Sequence, residues 1–319
     1  MRKLAPALFA LTVVSLIACR EVDALPALAE HPATADPEAI DADYPPAMRE
    51  ISFESGGSRV NGIVYLAGGA GPHPTVLMLH GYPGNERNLD LAQAVRRAGM
   101  NALYFNYRGS WGSGGDFSFG RAIEDVAAAV RYVRSDEAVA DQRSDPDRLA
   151  LVGHSFGGFV GAIVASEDPT ISCLGFLAGA DFGPYGLQAR DNAEVRAGFE
   201  AALSGAMHPE SGPIRARPEE VVAEMTERAE EFDVIGRAAA LAGRPLFVVG
   251  GERDAVLPRA QHHDRFVAAV TKAGSTLLTE VVYDDDHAFS AHRVRLARDL
   301  VDWLRSDCWP AEVRSGGAP

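Results

Sequence analysis

Leu149-Ala150-Leu151-Val152-Gly153-His154-Ser155-Phe156-Gly157-Gly158 is the stretch that decides the fold. Four apolar residues run without interruption into Gly-x-Ser-x-Gly, and an apolar helical segment over 156–167 follows directly. An unbroken apolar run suits a strand covered on both faces. A strand that passes straight into a helix must turn sharply, and the serine at the apex takes a strained backbone. Small residues on either side of it prevent collision with neighbouring elements. The serine also lands at a helix N-terminus, where partial positive charge favours an oxyanion. Ser155 is therefore the candidate nucleophile.

Working outward, the same alternation repeats. Strands are expected at 48–53 and 59–67, joined as a hairpin through Gly56-Gly57, then at 75–79, 101–107, 148–153, 171–178, 245–250 and 276–283. Helices are expected at 86–98, which stops at Gly99, and at 121–134, 156–167, 259–273 and 291–305. Strands alternating with helices imply an α/β domain with a mostly parallel eight-stranded sheet and helices on both faces. Residues 181–243 break the alternation. They hold helix formers such as Val221 to Glu231, with Pro218 at a first-turn position, and no convincing strand. They read as a helical cap inserted over the carboxyl ends of the strands, where sites in such sheets lie.

The spacing of the remaining chemistry follows the elbow. An oxyanion needs a second N–H donor, from the loop after the third strand. That loop is His80-Gly81-Tyr82-Pro83-Gly84, so the candidate donors are the backbone N–H groups of Tyr82 and Phe156. In this arrangement the acid and the base follow the serine in that order. Of nine histidines, His287 lies just past the last strand and is the candidate base. His292 falls on a helix surface, and His262 and His263 read as solvated. The acid follows the strand at 245–250, where Asp254 is preferred and Glu252 held in reserve. Asp284, Asp285 and Asp286 read as a solvated loop before the base. The aromatic residues Trp111, Phe182 and Tyr185 are candidates for an apolar substrate pocket. No cofactor or metal is implied, because no His/Cys/Asp cluster has ligand spacing.

Three segments carry a resemblance: His80-Gly81-Tyr82-Pro83-Gly84, Asn106-Tyr107-Arg108-Gly109-Ser110-Trp111-Gly112, and Asp145 to Gly158. Together with Asp254 and His287, they make the chain similar to bacterial α/β-hydrolases of the dienelactone-hydrolase and prolyl-oligopeptidase branches, over about residues 50 to 305. The resemblance implies the α/β-hydrolase fold, a Ser155–His287–Asp254 triad, and hydrolysis of a small ester or amide through an acyl-enzyme. It departs from dienelactone hydrolases in using serine rather than cysteine, and from prolyl oligopeptidases in having no room for an N-terminal propeller. Two other readings stand beside an esterase: an acyl-peptide hydrolase, with Arg108 recognising a charged chain end, and a non-catalytic binding protein on the same scaffold.

The ends and the composition bound the setting. Arg2 and Lys3 precede an apolar run at Leu8 to Ile17, and Leu16-Ile17-Ala18-Cys19 resembles a bacterial lipobox. Residues 1–18 then form a lipoprotein signal peptide, with Cys19 lipidated and the protein held on a membrane of the cell envelope. Residues 19–47, rich in Ala, Pro, Asp and Glu, read as a flexible tether, and 48–310 as the catalytic domain. The formal net charge of -14 excludes nucleic acid as a partner, since phosphate binding needs a basic surface. Cys173 and Cys308 are expected to be free thiols.

Overall fold

A computed structural model describes residues 31–310. The lipobox, with Cys19, and the signal peptide lie outside the described residues.

The chain first forms a hairpin, β1 (Ala47–Ser55) and β2 (Ser58–Leu66), then β3 (His73–Leu79), α1 (Leu89–Arg97) and β4 (Asn101–Phe105). Next come α2 (Phe119–Val133), α3 (Asp136–Asp141), β5 (Ser144–His154), α4 (Phe156–Glu167) and β6 (Cys173–Leu177). The cap supplies α5 (Gly183–Asp191), α6 (Ala193–Ser204), α7 (Pro218–Glu227) and α8 (Ala238–Leu241). The chain then returns through β7 (Leu246–Gly251), α9 (His263–Lys272), β8 (Leu278–Tyr283) and α10 (Arg293–Trp303). The eight strands make one sheet in the order β1-β2-β4-β3-β5-β6-β7-β8. The hairpin and the β2–β4 pair are antiparallel, and every later pair is parallel.

Alternation along each strand divides the core. In β3, Leu77 and Leu79 face α2, α4 and α9, whereas Val76 and Met78 face α1 and α10. All seven β3 residues are buried, as both-face coverage demands. Burying each of these apolar side chains contributes about 1.5–3 kcal/mol. The eight expected strands and the helices flanking them are all present. The short α3 was not anticipated. It starts at the Ser135 cap, which accepts a hydrogen bond from Ala138 N–H, and it buries a single residue.

Two expectations need correction. Residues 31–35 do not behave as a free tether: His31 bonds Asp302 at 2.9 Å, Arg97 donates to Pro32 O at 2.8 Å, and Ala33 is buried. Cys173 and Cys308 form a disulfide with Cα atoms 5.7 Å apart. The last helix α10 and the turn after it pack on the same sheet face as Cys173, which brings the C-terminal cysteine back across 135 residues. The cap is helical, as expected, with no strand between β6 and β7 among the described residues. Ile214 bridges both Ser110 and Met207, and Arg215 N–H donates to Gly109 O at 2.7 Å, so a short extended piece closes over the loop at 109–117.

Candidate active site

The carboxyl end of β5 delivers Ser155 with φ 57° and ψ -119°, a left-handed backbone that a non-glycine residue adopts only under constraint. The constraint is visible. Ser155 N–H donates to Leu177 O at 2.9 Å, and Ser155 O accepts from Ala180 N–H at 3.1 Å. The flanking glycines have no alternative. A Cβ on Gly153 would stand 2.1 Å from Gly157 O, and one on Gly157 would stand 2.0 Å from Leu79 O.

The loop after β3 comes to the same point. A Cβ on Gly81 would lie 3.0 Å from Ser155 Cβ, so Gly81 lets this loop touch the elbow. Neither the Tyr82 nor the Phe156 N–H donates to a protein acceptor among the described residues. Two unpartnered amides, one on the loop that touches the elbow and one opening α4, are the candidates for the donor pair that a tetrahedral oxyanion requires. His80 braces the loop. Its Nδ1–H donates to Gly81 O at 2.7 Å, Tyr107 O–H donates to His80 O at 3.1 Å, and burial lowers the imidazole pKa to about 4.

The candidate acid and base, Asp254 and His287, meet across the β7 and β8 ends. Asp254 Oδ1 accepts from Val256 N–H at 2.9 Å and Leu257 N–H at 2.8 Å. Its Oδ2 accepts from His287 Nδ1–H at 2.6 Å. Burial pushes the Asp254 carboxyl up, but His287 and the two amides outweigh it and hold the pKa below the usual carboxylate value. With the proton fixed on Nδ1, the Nε2 lone pair of His287 is left to act as a base. Ser155 Oγ has no hydrogen-bond partner among the described residues, and such bonds often tighten only when substrate binds. The His154 ring packs tilted against the His287 ring, with centroids 4.8 Å apart, and donates its Nε2–H to His287 O at 2.8 Å. Burial lowers the His154 pKa to about 4, so it braces His287 as a neutral ring.

Several sequence expectations change here. His262 and His263 are buried rather than solvated, because Asp181 and Tyr185 meet the first ring and Glu280 the second. His262 Nδ1 accepts from Asp181 N–H at 3.2 Å, and His263 Nε2 bonds Glu280 at 3.0 Å. The three aspartates before His287 are not one solvated loop. Buried Asp285 accepts from His292 Nδ1–H at 2.8 Å and from Ala291 N–H, and Asp286 accepts from Ala288 and Ser290 N–H, so both shape the turn that carries the base. Glu252 pairs with Arg259 at 3.4 Å. Arg108 is buried against Asp125 at 2.6 Å and also pairs with Glu124, so it recognises no chain end.

Of the candidate pocket residues, Trp111 donates its indole N–H to Pro83 O at 2.6 Å and so braces the loop carrying Tyr82. Phe182 packs 4.7 Å from Phe119 at the base of the cap. Tyr185 bonds His262 Nε2 at 2.9 Å. Sequence reasoning missed Asp181, which follows β6 and is 3 % exposed; burial raises its pKa to about 6. Its Oδ1 accepts from Val234 N–H at 3.0 Å, while Oδ2 has no partner. The only signal for it was its place at the carboxyl end of a central strand. Among the described residues no group of three His, Cys, Asp or Glu side chains is arranged to hold a metal ion.

Comparison with known proteins agrees with this geometry. The sequence model described as "Alpha/beta hydrolase family" matches residues 76–299, well over half of the chain. A protein of Mycobacterium tuberculosis is 26% identical over 254 residues, covering 79% of this chain and 77% of its own. The YfhR protein of Salmonella typhimurium is 24% identical over 237 residues, covering 71% and 69%. Among solved structures, an esterase of Pyrococcus furiosus aligns with TM-score 0.58 and 18% identity, over 83% of this chain and 92% of that one. An acylaminoacyl peptidase of Pyrococcus horikoshii aligns with TM-score 0.61 and 15% identity, over 83% of this chain but 42% of the peptidase. At these identities the structural likeness is one of fold.

Proposed function

Because the chain belongs to the alpha/beta hydrolase family, we propose that it is a serine hydrolase cleaving a carboxylic ester of a small molecule. Ser155 Oγ attacks the carbonyl carbon while His287 Nε2 takes its proton. The Tyr82 and Phe156 amides hold the oxyanion, and His287 returns the proton to the leaving alkoxide. Water activated by His287 then releases the acid from Ser155. The observation that carries this reading is the 2.6 Å bond from His287 Nδ1–H to an Asp254 already anchored by two backbone amides. The pair stands at the carboxyl ends of the parallel strands β7 and β8, the same end of the sheet at which the β5 elbow presents Ser155.

The acyl-peptide reading loses its recognition residue, since Arg108 is spent on Asp125 and Glu124. The binding-protein reading has to account for two unpartnered amides beside a strained serine. As to location, we propose export and lipidation at Cys19. The disulfide between Cys173 and Cys308 supports an oxidising compartment.

The test is hydrolysis of nitrophenyl esters from acetate to octanoate by the wild type and Ser155→Ala, with fluorophosphonate labelling alongside. Labelled and active wild type with an inert Ser155→Ala is the expected result. Activity surviving in Ser155→Ala would remove the nucleophile assignment. A folded wild type that neither labels nor turns over ester would favour the binding protein.

A further inference from the structure

Helix α6 is an unusual part of this molecule, because none of its residues is buried. Val195, Phe199 and Leu203 recur every fourth residue, so they form one stripe, and all three pack half-buried against the core. Apolar burial alone therefore holds α6 weakly. What else holds it is specific. At its C-terminal end, the Tyr82 phenol donates to Leu203 O at 2.5 Å. Burial raises the Tyr82 pKa, so this phenol stays protonated as a donor. Nearer its middle, Phe199 packs edge-on against Tyr185 with centroids 5.2 Å apart.

Tyr185 is itself tied to the other side of the site. Asp181 N–H donates to His262 Nδ1, which leaves the His262 proton on Nε2. That Nε2–H donates to Tyr185 Oη at 2.9 Å, and the Tyr185 hydroxyl donates onward to Gln261 Oε1 at 3.2 Å. Every donor in this chain has an acceptor. Gln261 and His262 follow the loop that presents Asp254, whereas Tyr82 belongs to the loop that supplies an oxyanion donor. One loosely packed helix is thus linked, through two tyrosines, to the loops on both sides of Ser155.

We propose that α6 is a strap held across the site by Tyr82 and Tyr185, positioning residues whose ties, with Phe199 and Leu203 on the inner face, set the size of the acyl group admitted. This rests on the ester-hydrolase reading of the site. The Tyr82 tie is a neutral hydrogen bond to α6 itself, whereas the Tyr185 tie is its ring packed on Phe199 and aimed by its hydroxyl's bonds to His262 and Gln261; losing a neutral hydrogen bond of this kind shifts a local opening equilibrium by about three- to tenfold.

The experiment compares wild type, Tyr82→Phe and Tyr185→Phe by amide hydrogen exchange across residues 193–204, and by the octanoate-to-acetate ratio of kcat/KM. Each variant should exchange these amides about three- to tenfold faster, with exchange in β3 and β5 unchanged and the ratio shifted toward octanoate. Unchanged exchange at 193–204 overturns the strap, and so does faster exchange spread evenly over the whole domain. Faster local exchange with an unaltered chain-length ratio overturns the selectivity role. If a phenylalanine variant loses its cooperative melt, Phe199→Leu loosens the same contact from the helix side and is read identically. A wild type without esterase activity would sink the ester reading alone, because exchange still decides whether the ties hold α6.

Discussion

Replacing Asp254 with asparagine changes one atom, and the hydrogen bonds around it determine the consequence. Oδ1 of Asp254 accepts from two backbone amides, Val256 and Leu257. An asparagine must keep its carbonyl oxygen there, since an NH2 in that place would face two N–H donors. Its NH2 is therefore forced into the Oδ2 position, 2.6 Å from His287 Nδ1. Donor then meets donor, and the imidazole adopts the other tautomer, with the proton on Nε2. His287 cannot accept the serine proton in that form. Such a tautomer inversion costs about 10,000-fold in kcat, or roughly 5.5 kcal/mol of barrier. The fold should survive, because both amide bonds remain. Exchanging a charged acceptor for a neutral amide costs about 1.5–3 kcal/mol, a fall in Tm of several degrees. The assay is steady-state hydrolysis of the preferred nitrophenyl ester by Asp254→Asn, with Glu252→Gln beside it and a thermal melt of each. Glu252 only pairs with half-exposed Arg259, so its variant should stay within about threefold of wild type. An Asp254→Asn variant within about tenfold of wild type would refute the tautomer argument, and a collapse confined to Glu252→Gln would move the acid there.

Two further outcomes follow from the fold. Cys173→Ser should lower stability by about 2–5 kcal/mol, because the disulfide closes a long loop. Ester hydrolysis well below the melt should persist, since Cys173 stands at the amino end of the interior strand β6, away from the carboxyl end that carries Ser155; a melt indifferent to reductant would show that the bridge contributes nothing. Stability should also fall as pH drops from 6.5 toward 4. His80, His154 and His262 are lowered to about 4 by burial, so the unfolded chain binds their protons first over that window. Asp181, raised to about 6, opposes this by taking up its proton first in the folded state. Three groups against one leave a slope of roughly 1–3 kcal/mol per pH unit near pH 5, measurable as the urea midpoint from pH 7 to 4.5. A flat profile would mean that the three rings are not held neutral.

Much of this protein is written locally. Leu149 to Val152 reads as a buried strand because apolar burial is a property of the run itself. Gly153 and Gly157 mark the elbow because only they leave room for Gly157 O and Leu79 O. The order of serine, acid and base could be traced because each candidate lies within a few residues of a strand end, and strand ends converge on one edge of a parallel sheet. Short α3 escaped notice because six residues bury only one side chain, although Ser135 followed by two acidic residues was a readable cap.

What the tertiary structure alone decided lies in contacts between residues far apart in the chain. Arg108 reads as an available cation until Asp125, 17 residues on, comes to meet it in the folded domain. His262 reads as a surface residue until Asp181 and Tyr185, some 80 residues earlier, close over it. Cys173 and Cys308 read as separate thiols until α10 returns along the sheet. A sequence pattern reports whether a side chain prefers water or the interior. Whether a polar group can be buried depends on which partner reaches it, and only the folded chain supplies that partner.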